Sequence, residues 1–343
     1  MNSLTDWSDL PDAAWEGCLR RTLWHRAHRQ WTAAAAGRAL GLVFLNPSLR
    51  TRAATELAAA HLGAHAVTLT PGQDTWPLEW RDRAVMDGAA AEHVREAFGV
   101  LSRYVDALGV RTFASLTDYR ADHDDTAFRA IVAASNVPVI NLESARWHPG
   151  QALADAATLV DRFDGEVRGK KFVLNWAPHP KALPHAVPNS TLLMAARMGM
   201  EVVVARPEGF GLASDVMDLA RTTAARTGGS VTESANQDHA LSGAHVVYAK
   251  SWAGAAVYDD AASEARRRQN NVGWRIDGAE MVKTNGAAFM HCLPVRRGVV
   301  VTDDVLASPN ALHLLQAEYR LHAQKAILEW VWDLWRDPTY VRA

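Results

Sequence analysis

The sequence predicts an α/β protein of two domains, each with a central parallel sheet flanked by helices. Short runs rich in β-branched residues alternate with helical stretches along almost the whole chain, and this alternation is typical of parallel βαβ units. A long amphipathic stretch at 311–335 follows the last run and is predicted to form a closing helix. With 343 residues, of which 48% are hydrophobic, the chain is long enough for two cores.

The elements are predicted in chain order. In the first half we expect strands at 41–45, 64–69, 108–113 and 137–142, with a helix after residue 52, a loop at 70–80 and a helix near 90–106. In the second half we expect strands at 169–177, 201–207, 229–234, 244–251 and 287–294, and helices at 189–198 and 213–226. The two halves join near Glu143 to Gln151.

Composition restricts the class of partner. The formal net charge of -2 argues against a nucleic-acid surface and favours small acidic ligands held by local basic clusters. The first residues, MNSLTDWSDL, lack the basic start and apolar core of a signal peptide, and no uncharged run is long enough to span a bilayer. Cys18 and Cys292 lie far apart and in no metal-binding spacing. We therefore expect a reducing compartment, the cytoplasm, and no membrane partner.

Residues 48–52, with the sequence SLRTR, stand where a predicted strand ends and a predicted helix begins. The start of a helix carries unpaired N–H groups and partial positive charge, so an arginine there is unfavourable by ~0.3 to 1 kcal/mol. A phosphate or carboxylate would compensate, because the helix start is itself an anion site to which hydroxyl and guanidinium groups add hydrogen bonds. The alternative is a pair of solvated arginines on a surface turn.

Further polar residues follow other predicted strands, where ligands bind in open α/β sheets. Glu143, His148 and Gln151 lie between a strand and a helix, and a histidine and a glutamine there can point donors at a carbonyl or phosphate oxygen. Lys250 ends another strand and can hold a carboxylate. A packed or solvated role is the alternative for each. The other candidates at such ends are Arg111, His291, Cys292, Leu293 and Arg296, and Arg320 lies on the last helix.

Two common kinds of site are not indicated. The chain has no G-x-x-x-x-G-K-[ST] segment, and the glycine pattern GFGLAS lacks the third glycine of a dinucleotide turn. His179 and His185 flank the segment PKALP, but their spacing and the prolines do not make a convincing metal-ligand set. We therefore expect neither a nucleotide cofactor nor a metal.

Three motifs together resemble a known family. SLRTR at 48–52 resembles the Ser-x-Arg-Thr-Arg phosphate motif of the aspartate and ornithine carbamoyltransferases, HPGQ at 148–151 resembles their His-Pro-x-Gln, and HCLP at 291–294 resembles the His-Cys-Leu-Pro of the ornithine type. The motifs stand in the family's order and spacing, and the resemblance covers roughly residues 40 to 330. It implies that the anion is carbamoyl phosphate, whose carbamoyl carbon is attacked by a neutral amine, with phosphate leaving and no cofactor required.

The resemblance also implies roles for individual residues. The catalytic residues would be Arg50, Thr51, Arg111 and His148. Carbamoyl phosphate would be bound by Ser48, Leu49, Arg50, Thr51, Trp76, Arg111, His148, Gln151, Cys292, Leu293 and Arg320. Fixed donors among them would stabilise charge that grows on the carbonyl oxygen and on the leaving phosphate.

The amine substrate is indicated by a departure from the ornithine type. Enzymes of that type hold the free α-amino group with an aspartate before a Ser-Met-Gly element, whereas this chain has YAKSWAG there. Lys250 would repel a cationic amine, but Lys250 and Arg296 can pair with the α-carboxylate of an N-acylated ornithine. The chain thus resembles the N-acylornithine branch, to which the loop with Trp76 also points, since in that branch it reaches a neighbouring subunit's site. Glu143 and Ala91 complete the predicted acylornithine set.

Ala91 bears on the acyl group. Acetyl-type members resemble VMDG followed by two residues, an acid and Glu-His, and here VMDGAAAEH has Ala91 in place of the acid. An acidic wall would repel a succinyl carboxylate, so Ala91 favours N-succinyl-L-ornithine over the alternative, N-acetyl-L-ornithine. A register one residue different would put Glu92 at that position.

The resemblance implies a carbamoyl phosphate-binding domain at 1–147, an acylornithine-binding domain at 148–315 with a knot, and a C-terminal helix at 316–343 that crosses back. It further implies a homotrimer with shared active sites, acting in arginine biosynthesis. Two other readings remain: a plain ornithine or aspartate carbamoyltransferase, against which Lys250 argues, and a non-catalytic anion-binding relative.

Overall fold

A computed structural model describes residues 2–336 of the chain and divides it into two compact units. The first unit comprises the chain up to Ser115, the segment Arg120–Leu153 and the described residues from Arg320 onward. The second unit comprises Leu116–Tyr119 and Ala154–Tyr319. Among the described residues, no helix combines the length and the apolar character needed to cross a membrane.

The first unit is built on a parallel sheet of four strands. Its strands are β1 (Ala39–Phe44), β2 (His65–Leu69), β5 (Ala107–Phe113) and β6 (Val139–Ser144), and a two-stranded parallel pair is formed by β3 (Leu78–Glu79) and β4 (Glu92–His93). Its helices are α1 (Asp12–Ala27), α2 (Leu49–His61), α3 (Val94–Leu101), α4 (Tyr119–His123), α5 (Thr126–Ala134) and the start of α6 (Pro149–Arg162). The strand order is β2-β1-β5-β6.

The second unit has a parallel sheet of five strands in the order β11-β10-β7-β8-β9. These strands are β7 (Lys171–Trp176), β8 (Glu201–Ala205), β9 (Ser230–Ser234), β10 (Val246–Lys250) and β11 (Ala288–Met290). Its helices are α7 (Ala186–Arg197), α8 (Ser214–Thr227), α9 (Gln237–Leu241), α10 (Ala261–Asn270), α11 (Gly278–Val282) and α12 (Asp303–Ala307), with short 3-10 turns at Ala255–Tyr258 and Val272–Trp274. Helix α13 (His313–Val331) begins in the second unit and belongs to the first unit from Arg320 onward, as does the 3-10 turn Leu334–Arg336.

Both sheets confirm the predicted fold class. Inner strands are buried, as expected of parallel strands in an α/β fold: β10 is buried along its whole length, and β1 is buried from Leu40 to Phe44. The edge strands β2 and β9 are more exposed. The segment 70–80 is not wholly a loop, because β3 lies within it. The predicted boundaries at 147 and 315 stay predictions, since they separate ligand-binding domains, whereas the two compact units are defined by packing. The knot also stays a prediction.

Helix α1 was not predicted, because its buried face is not apolar throughout. It includes Trp15 and Cys18 but also Thr22 and His25, which are both fully buried. His25 has a buried partner in the same unit: its Nε2 lies 2.6 Å from Oε1 of Glu329, a residue of α13.

Glu329 is the centre of a buried ion cluster in the first unit. Arg21 donates from Nε and Nη2 to the two carboxylate oxygens at 2.8 and 2.9 Å. Burial alone would raise the pKa of Glu329, but the hydrogen bonds from Arg21 and His25 lower it to about 2. Because this pKa lies below that of the unfolded chain, 4.5, the ionised carboxylate stabilises the fold above pH 4.5, and this contribution is lost as the pH falls toward 2.

We predict that Glu329→Gln lowers the free energy of unfolding by about 3 kcal/mol at pH 7, since it leaves the Arg21 guanidinium, whose side chain is 15% exposed, without its charge partner. The difference in the free energy of unfolding between this variant and the unmodified protein should become smaller below pH 4.5. The control is Glu16→Gln, which removes an exposed i,i+4 pair with Arg20 and should cost less than ~1 kcal/mol. Urea unfolding at pH 7 and pH 3.5 measures both; equal losses for the two variants would contradict the prediction.

Candidate active site

The start of α2 is built as an anion site. Ser48 is its N-cap residue in extended conformation, and the Ser48 hydroxyl accepts the Thr51 N–H at 3.3 Å. The first turn contains no acidic residue, and Leu49 is 82% exposed. The N–H groups and partial positive charge of this helix start are therefore not neutralised by a carboxylate of its own first turn.

The two arginines of the SLRTR motif have different surroundings. Arg52 lies on the surface, where its Nε donates to Oε1 of Glu56 at 3.0 Å one turn later. Arg50 is half-buried and close enough to His148 to lower the pKa of that imidazole. The surface-turn alternative is thus correct for Arg52, whereas Arg50 lies with the other predicted site residues of the first unit.

Arg111 and Glu143 lie on the neighbouring strands β5 and β6 and form a buried ion pair. His148 follows β6 and precedes α6, and its Nε2 lies 3.6 Å from Oε2 of Glu143. Glu143 was predicted to bind the acylornithine. In the structure its carboxylate holds Arg111, and its predicted role toward the substrate stays a prediction.

His148 is kept uncharged by its surroundings. Only 3% of its surface is exposed. Burial is the largest cause that lowers the pKa of His148 well below its usual value, and the charges of Arg320, Arg111 and Arg50 lower it further. A neutral imidazole can donate a hydrogen bond to a carbonyl oxygen without titrating near pH 7.

Arg320 joins three helices of the first unit. It projects from α13 and is 3% exposed. Its Nη1 donates to Oε1 of Gln151 on α6 at 2.7 Å, and its Nη2 donates to Oγ1 of Thr51 on α2 at 3.0 Å. Four predicted residues, Arg50, Thr51, Gln151 and Arg320, are therefore held around the same buried histidine and helix starts.

Gly150, within the HPGQ motif, leaves room for a side chain of α13. A Cβ at this position would lie 2.8 Å from Nε2 of Gln324, a residue that is fully buried. The absence of a side chain at Gly150 thus lets α6 and α13 approach each other between His148 and Gln151.

Trp76 and Ala91 lie in the segment between β2 and α3. Trp76 is 56% exposed, and its indole N–H donates to Oε2 of Glu92 at 2.7 Å. The side chains of Trp76 and Glu92 line a cavity of about 250 Å³. Ala91 is exposed and directly precedes β4. The predicted contact of Trp76 with carbamoyl phosphate stays a prediction.

The second unit has its own basic cluster. Lys250 ends β10, is 8% exposed, and donates from Nζ to the Ser251 carbonyl at 2.6 Å. Arg296 follows β11, and its Nε donates to Nε2 of His179 at 2.9 Å. Burial, and then the charges of Arg296 and Lys250, lower the pKa of His179. Lys250 and Arg296 thus both lie close enough to His179 to act on its pKa, and their predicted pairing with a substrate carboxylate stays a prediction.

The sequence analysis missed this role of His179, which it considered only as a metal ligand. Its Nε2 accepts from Arg296, and its Nδ1 lies 2.8 Å from the Lys181 carbonyl oxygen and 3.0 Å from the Lys181 backbone nitrogen. His179 follows β7, so its position at a strand end was the available signal. In the described part of the chain, no three His, Cys, Asp or Glu side chains are grouped as metal ligands.

Sheet order explains why these residues meet. In the first unit the chain passes from β1 to β2 on one side of β1 and then crosses to β5 on the other side. The carboxyl ends of β1 and β5 therefore border a switch point of the sheet. SLRTR follows β1, and Arg111 lies in β5 two residues before the strand ends at Phe113. In the second unit β7 lies between β10 and β8, and the carboxyl ends of β7 and β10 carry His179 and Lys250. Cys292 and Leu293 follow β11 of the same sheet.

Comparison with known proteins agrees with this geometry. The carbamoyl-P binding domain of aspartate/ornithine carbamoyltransferases matches residues 2–161, and their Asp/Orn binding domain matches residues 185–331. The N-acetylornithine carbamoyltransferase of Xanthomonas campestris pv. campestris is 45% identical over 85% of this chain and 86% of its own. The N-succinylornithine carbamoyltransferase of Bacteroides thetaiotaomicron is 36% identical over 84% of this chain and 86% of its own.

A solved structure is similar to this chain in both fold and sequence. A variant of N-acetyl-L-ornithine transcarbamylase with one glutamate replaced by alanine, complexed with carbamyl phosphate and N-succinyl-L-norvaline, superposes with a TM-score of 0.94 at 41% identity. The match covers 96% of this chain and 100% of that one. The chain therefore belongs to the aspartate/ornithine carbamoyltransferase family of enzymes. Within the family it belongs with the N-acylornithine carbamoyltransferases, as the motifs predicted.

We predict that Arg50→Ala lowers kcat/KM at least 100-fold, because it removes a cation from the anion site at the start of α2; loss of one such group costs roughly 2.7–4 kcal/mol in other enzymes. Arg52→Ala is the matched control. It removes the same side chain two residues later and loses only an exposed pair with Glu56. Steady-state kinetics and thermal melting of both variants test this, and an active, folded Arg50→Ala enzyme would overturn the assignment.

Proposed function

We propose that the enzyme transfers the carbamoyl group of carbamoyl phosphate to the δ-amine of N-succinyl-L-ornithine, giving N-succinyl-L-citrulline and phosphate, as a step of arginine biosynthesis. The observation that carries the N-acyl part is Lys250, a buried cation at the end of β10 that acts on the same histidine as Arg296. A free α-ammonium group would be repelled there, whereas an acylated nitrogen is neutral and leaves a carboxylate to pair with.

The first unit supplies groups suited to carbamoyl phosphate. The start of α2, with Ser48, Arg50 and Thr51, would bind the phosphate and stabilise its charge as it leaves. Arg111 and the neutral His148 would donate to the carbamoyl oxygen, on which charge grows when the amine attacks. Glu143 would act by holding Arg111 in place. Each of these groups stabilises charge that is larger in the transition state than in the substrate, which is what accelerates the reaction.

The attacking amine must be neutral, so a proton has to leave the δ-ammonium group before the carbon–nitrogen bond forms. The bond between the carbamoyl carbon and the phosphate oxygen then breaks, and phosphate carries away the bonding electron pair and the proton that the attacking nitrogen gives up. Placing amine and carbamoyl phosphate in line can contribute up to ~7 to 11 kcal/mol to catalysis. No step of this reaction requires a cofactor or a metal.

Ala91 supports the succinyl substrate. It carries no charge where the acetyl-type pattern has an acid, and the nearest carboxylate in sequence, Glu92, is hydrogen-bonded to Trp76. In the related transcarbamylase, a structure with one glutamate replaced by alanine contains N-succinyl-L-norvaline. In addition, N-succinylornithine has two carboxylates, and the second unit offers two cations, Lys250 and Arg296.

N-acetyl-L-ornithine is the second candidate, and overall similarity favours it. Identity is 45% with the acetyl-type relative and 36% with the succinyl-type relative. Most of these identical positions lie outside any acyl pocket, so they report ancestry more than the choice of acyl group. We give greater weight to the few residues that would meet the additional carboxylate.

We also propose a cytoplasmic homotrimer in which Trp76 contacts a neighbouring subunit. Its 56% exposure supports this, because a large aromatic side chain on an extended segment is suited to bury surface in an assembly. Cys18 and Cys292 form no disulfide with each other within residues 2–336, which is consistent with a reducing compartment.

Carbamoyl phosphate is supplied with N-succinylornithine, N-acetylornithine or ornithine in separate reactions. We predict that N-succinylornithine is turned over and that ornithine is not a substrate. The formation of the ureido product and of phosphate is measured. Turnover of N-acetylornithine alone would retain the branch and refute the acyl assignment. Tight binding of carbamoyl phosphate without turnover of any amine would support the non-catalytic relative.

We predict that Ala91→Glu lowers the succinyl-to-acetyl ratio of kcat/KM about tenfold or more, since a like charge near the succinyl carboxylate costs on the order of 1.4 kcal/mol or more. Ala89→Glu adds the same charge at an exposed position two residues earlier and serves as the matched control. If both variants leave the ratio unchanged, residue 91 does not select the acyl group.

A further inference from the structure

The turn after β11 contains a leucine in an unusual conformation. Leu293 has φ of 57°, in the left-handed region that residues other than glycine, asparagine and aspartate rarely adopt. Leu293 is one of the residues expected to bind carbamoyl phosphate. The surroundings must therefore hold this backbone in place, and the contacts of the turn within the second unit show how they do so.

His291 restrains the turn at two points. Its backbone N–H donates to Oε1 of Gln316 at 2.8 Å. Its ring Nδ1 accepts the Leu293 N–H at 2.9 Å, and only 4% of its surface is exposed. Because Nδ1 accepts, it carries no proton. Because the Leu293 N–H is used by His291, the Leu293 backbone can meet a ligand with its carbonyl oxygen, an acceptor, and the NH2 group of a carbamoyl moiety is a donor.

Gln316 is itself fixed in orientation. It is 1% exposed, and while Oε1 accepts from His291, its Nε2 donates to Oδ1 of Asp155 at 2.7 Å. A carboxylate can only accept, so Asp155 prevents the amide from turning over. In the reversed orientation the amide NH2 would face the His291 N–H, and two donors would oppose each other.

Asp155 is fully buried and lies close enough to Tyr248 of β10 to act on its pKa. Burial, and then the charge of Asp155, raise the pKa of Tyr248 well above its usual value, so this phenol keeps its proton. Tyr248 is also fully buried. A buried network of this kind stabilises one arrangement strongly when every member is satisfied and is costly when one member is removed. The orientation of Gln316 is therefore set from the interior of the second unit.

We propose that His291, Gln316 and Asp155 are positioning residues for carbamoyl transfer, which hold the backbone of Leu293 in the conformation that receives the carbamoyl NH2 group. The three side chains form one relay: Asp155 orients Gln316, Gln316 fixes the His291 backbone, and the His291 ring fixes Leu293. This inference rests on the proposed function, because it concerns the carbamoyl group of the same reaction.

The experiment compares the unmodified enzyme with His291→Ala, His291→Asn and Gln316→Leu. His291→Ala removes the acceptor for the Leu293 N–H and should lower kcat about 100-fold, the effect of a misplacement of about 1 Å. His291→Asn keeps an acceptor oxygen close to the position of Nδ1 and should restore kcat to within about fivefold of the unmodified enzyme. The KM for the acylornithine should hardly change, because Lys250 and Arg296 are untouched.

His313→Ala is the matched control, since it removes another buried histidine of the second unit that is not part of the relay. It should lower the melting temperature without lowering kcat. Because His291 and Gln316 act through one relay, the double variant His291→Ala/Gln316→Leu should be no worse than about the poorer single variant. Equal kcat for His291→Ala and the unmodified enzyme, or no rescue by His291→Asn, would overturn the proposal.

Failure of the proposed function would be seen separately, in the unmodified enzyme. If that enzyme turned over no acylornithine, the relay would be tested by calorimetric binding of carbamoyl phosphate alone. Weaker binding to His291→Ala, with recovery in His291→Asn, would support the relay. Equal binding to all three proteins would overturn it.

Discussion

The hydrogen bonds of one buried arginine organise the first unit. Arg320 is almost wholly removed from solvent, and a buried guanidinium group must have its donors satisfied. Two of its donors reach Thr51 on α2 and Gln151 on α6. Both residues lie in the first turn of their helix, so the arginine fixes two helix starts relative to α13. Gly150 assists, because the missing side chain admits Gln324 of α13.

The same demand for satisfied buried charge governs the rest of the site. Arg111 is paired with Glu143, and their combined placement on β5 and β6 leaves His148 beside them, neutral and buried. Neutrality gives this imidazole a constant capacity to donate over the physiological pH range. In the second unit, His179 is also kept neutral beside Lys250 and Arg296, and its Nε2 orients Arg296. Each unit thus combines fixed cations with one uncharged histidine.

Substrate choice within the N-acylornithine carbamoyltransferases depends on few residues. Relatives of both acyl types share more than a third of their residues with this chain, so the fold and the chemistry of the carbamoyl group are common to both. The presence or absence of one carboxylate is enough to distinguish a neutral from an anionic acyl group, because electrostatic repulsion at short range exceeds the energy differences needed for specificity. In the function that we propose, the charge at position 91 therefore carries more weight than global identity.

The sequence by itself determined the fold class, the family and most residues of both basic clusters. Alternating apolar runs require parallel strands, and polar residues after those runs, from Arg50 to Arg296, must gather at strand ends. Short motifs sufficed because their function depends on local backbone, as at the start of α2. The buried polar residues of α1 and α13 could not be anticipated, because the identity of a residue such as His25 or Gln316 does not show whether it lies in a core or on the surface.

Tertiary structure alone decided which of two similar residues faces the site. Arg50 and Arg52 are equivalent in the sequence, and only the packing of α2 turns Arg50 toward His148 and Arg52 toward Glu56. It also paired Glu143 with Arg111, joined His179 to Arg296, and linked Asp155 through Gln316 to His291. Such pairings join residues up to 161 positions apart, and local propensity contains no information at that range.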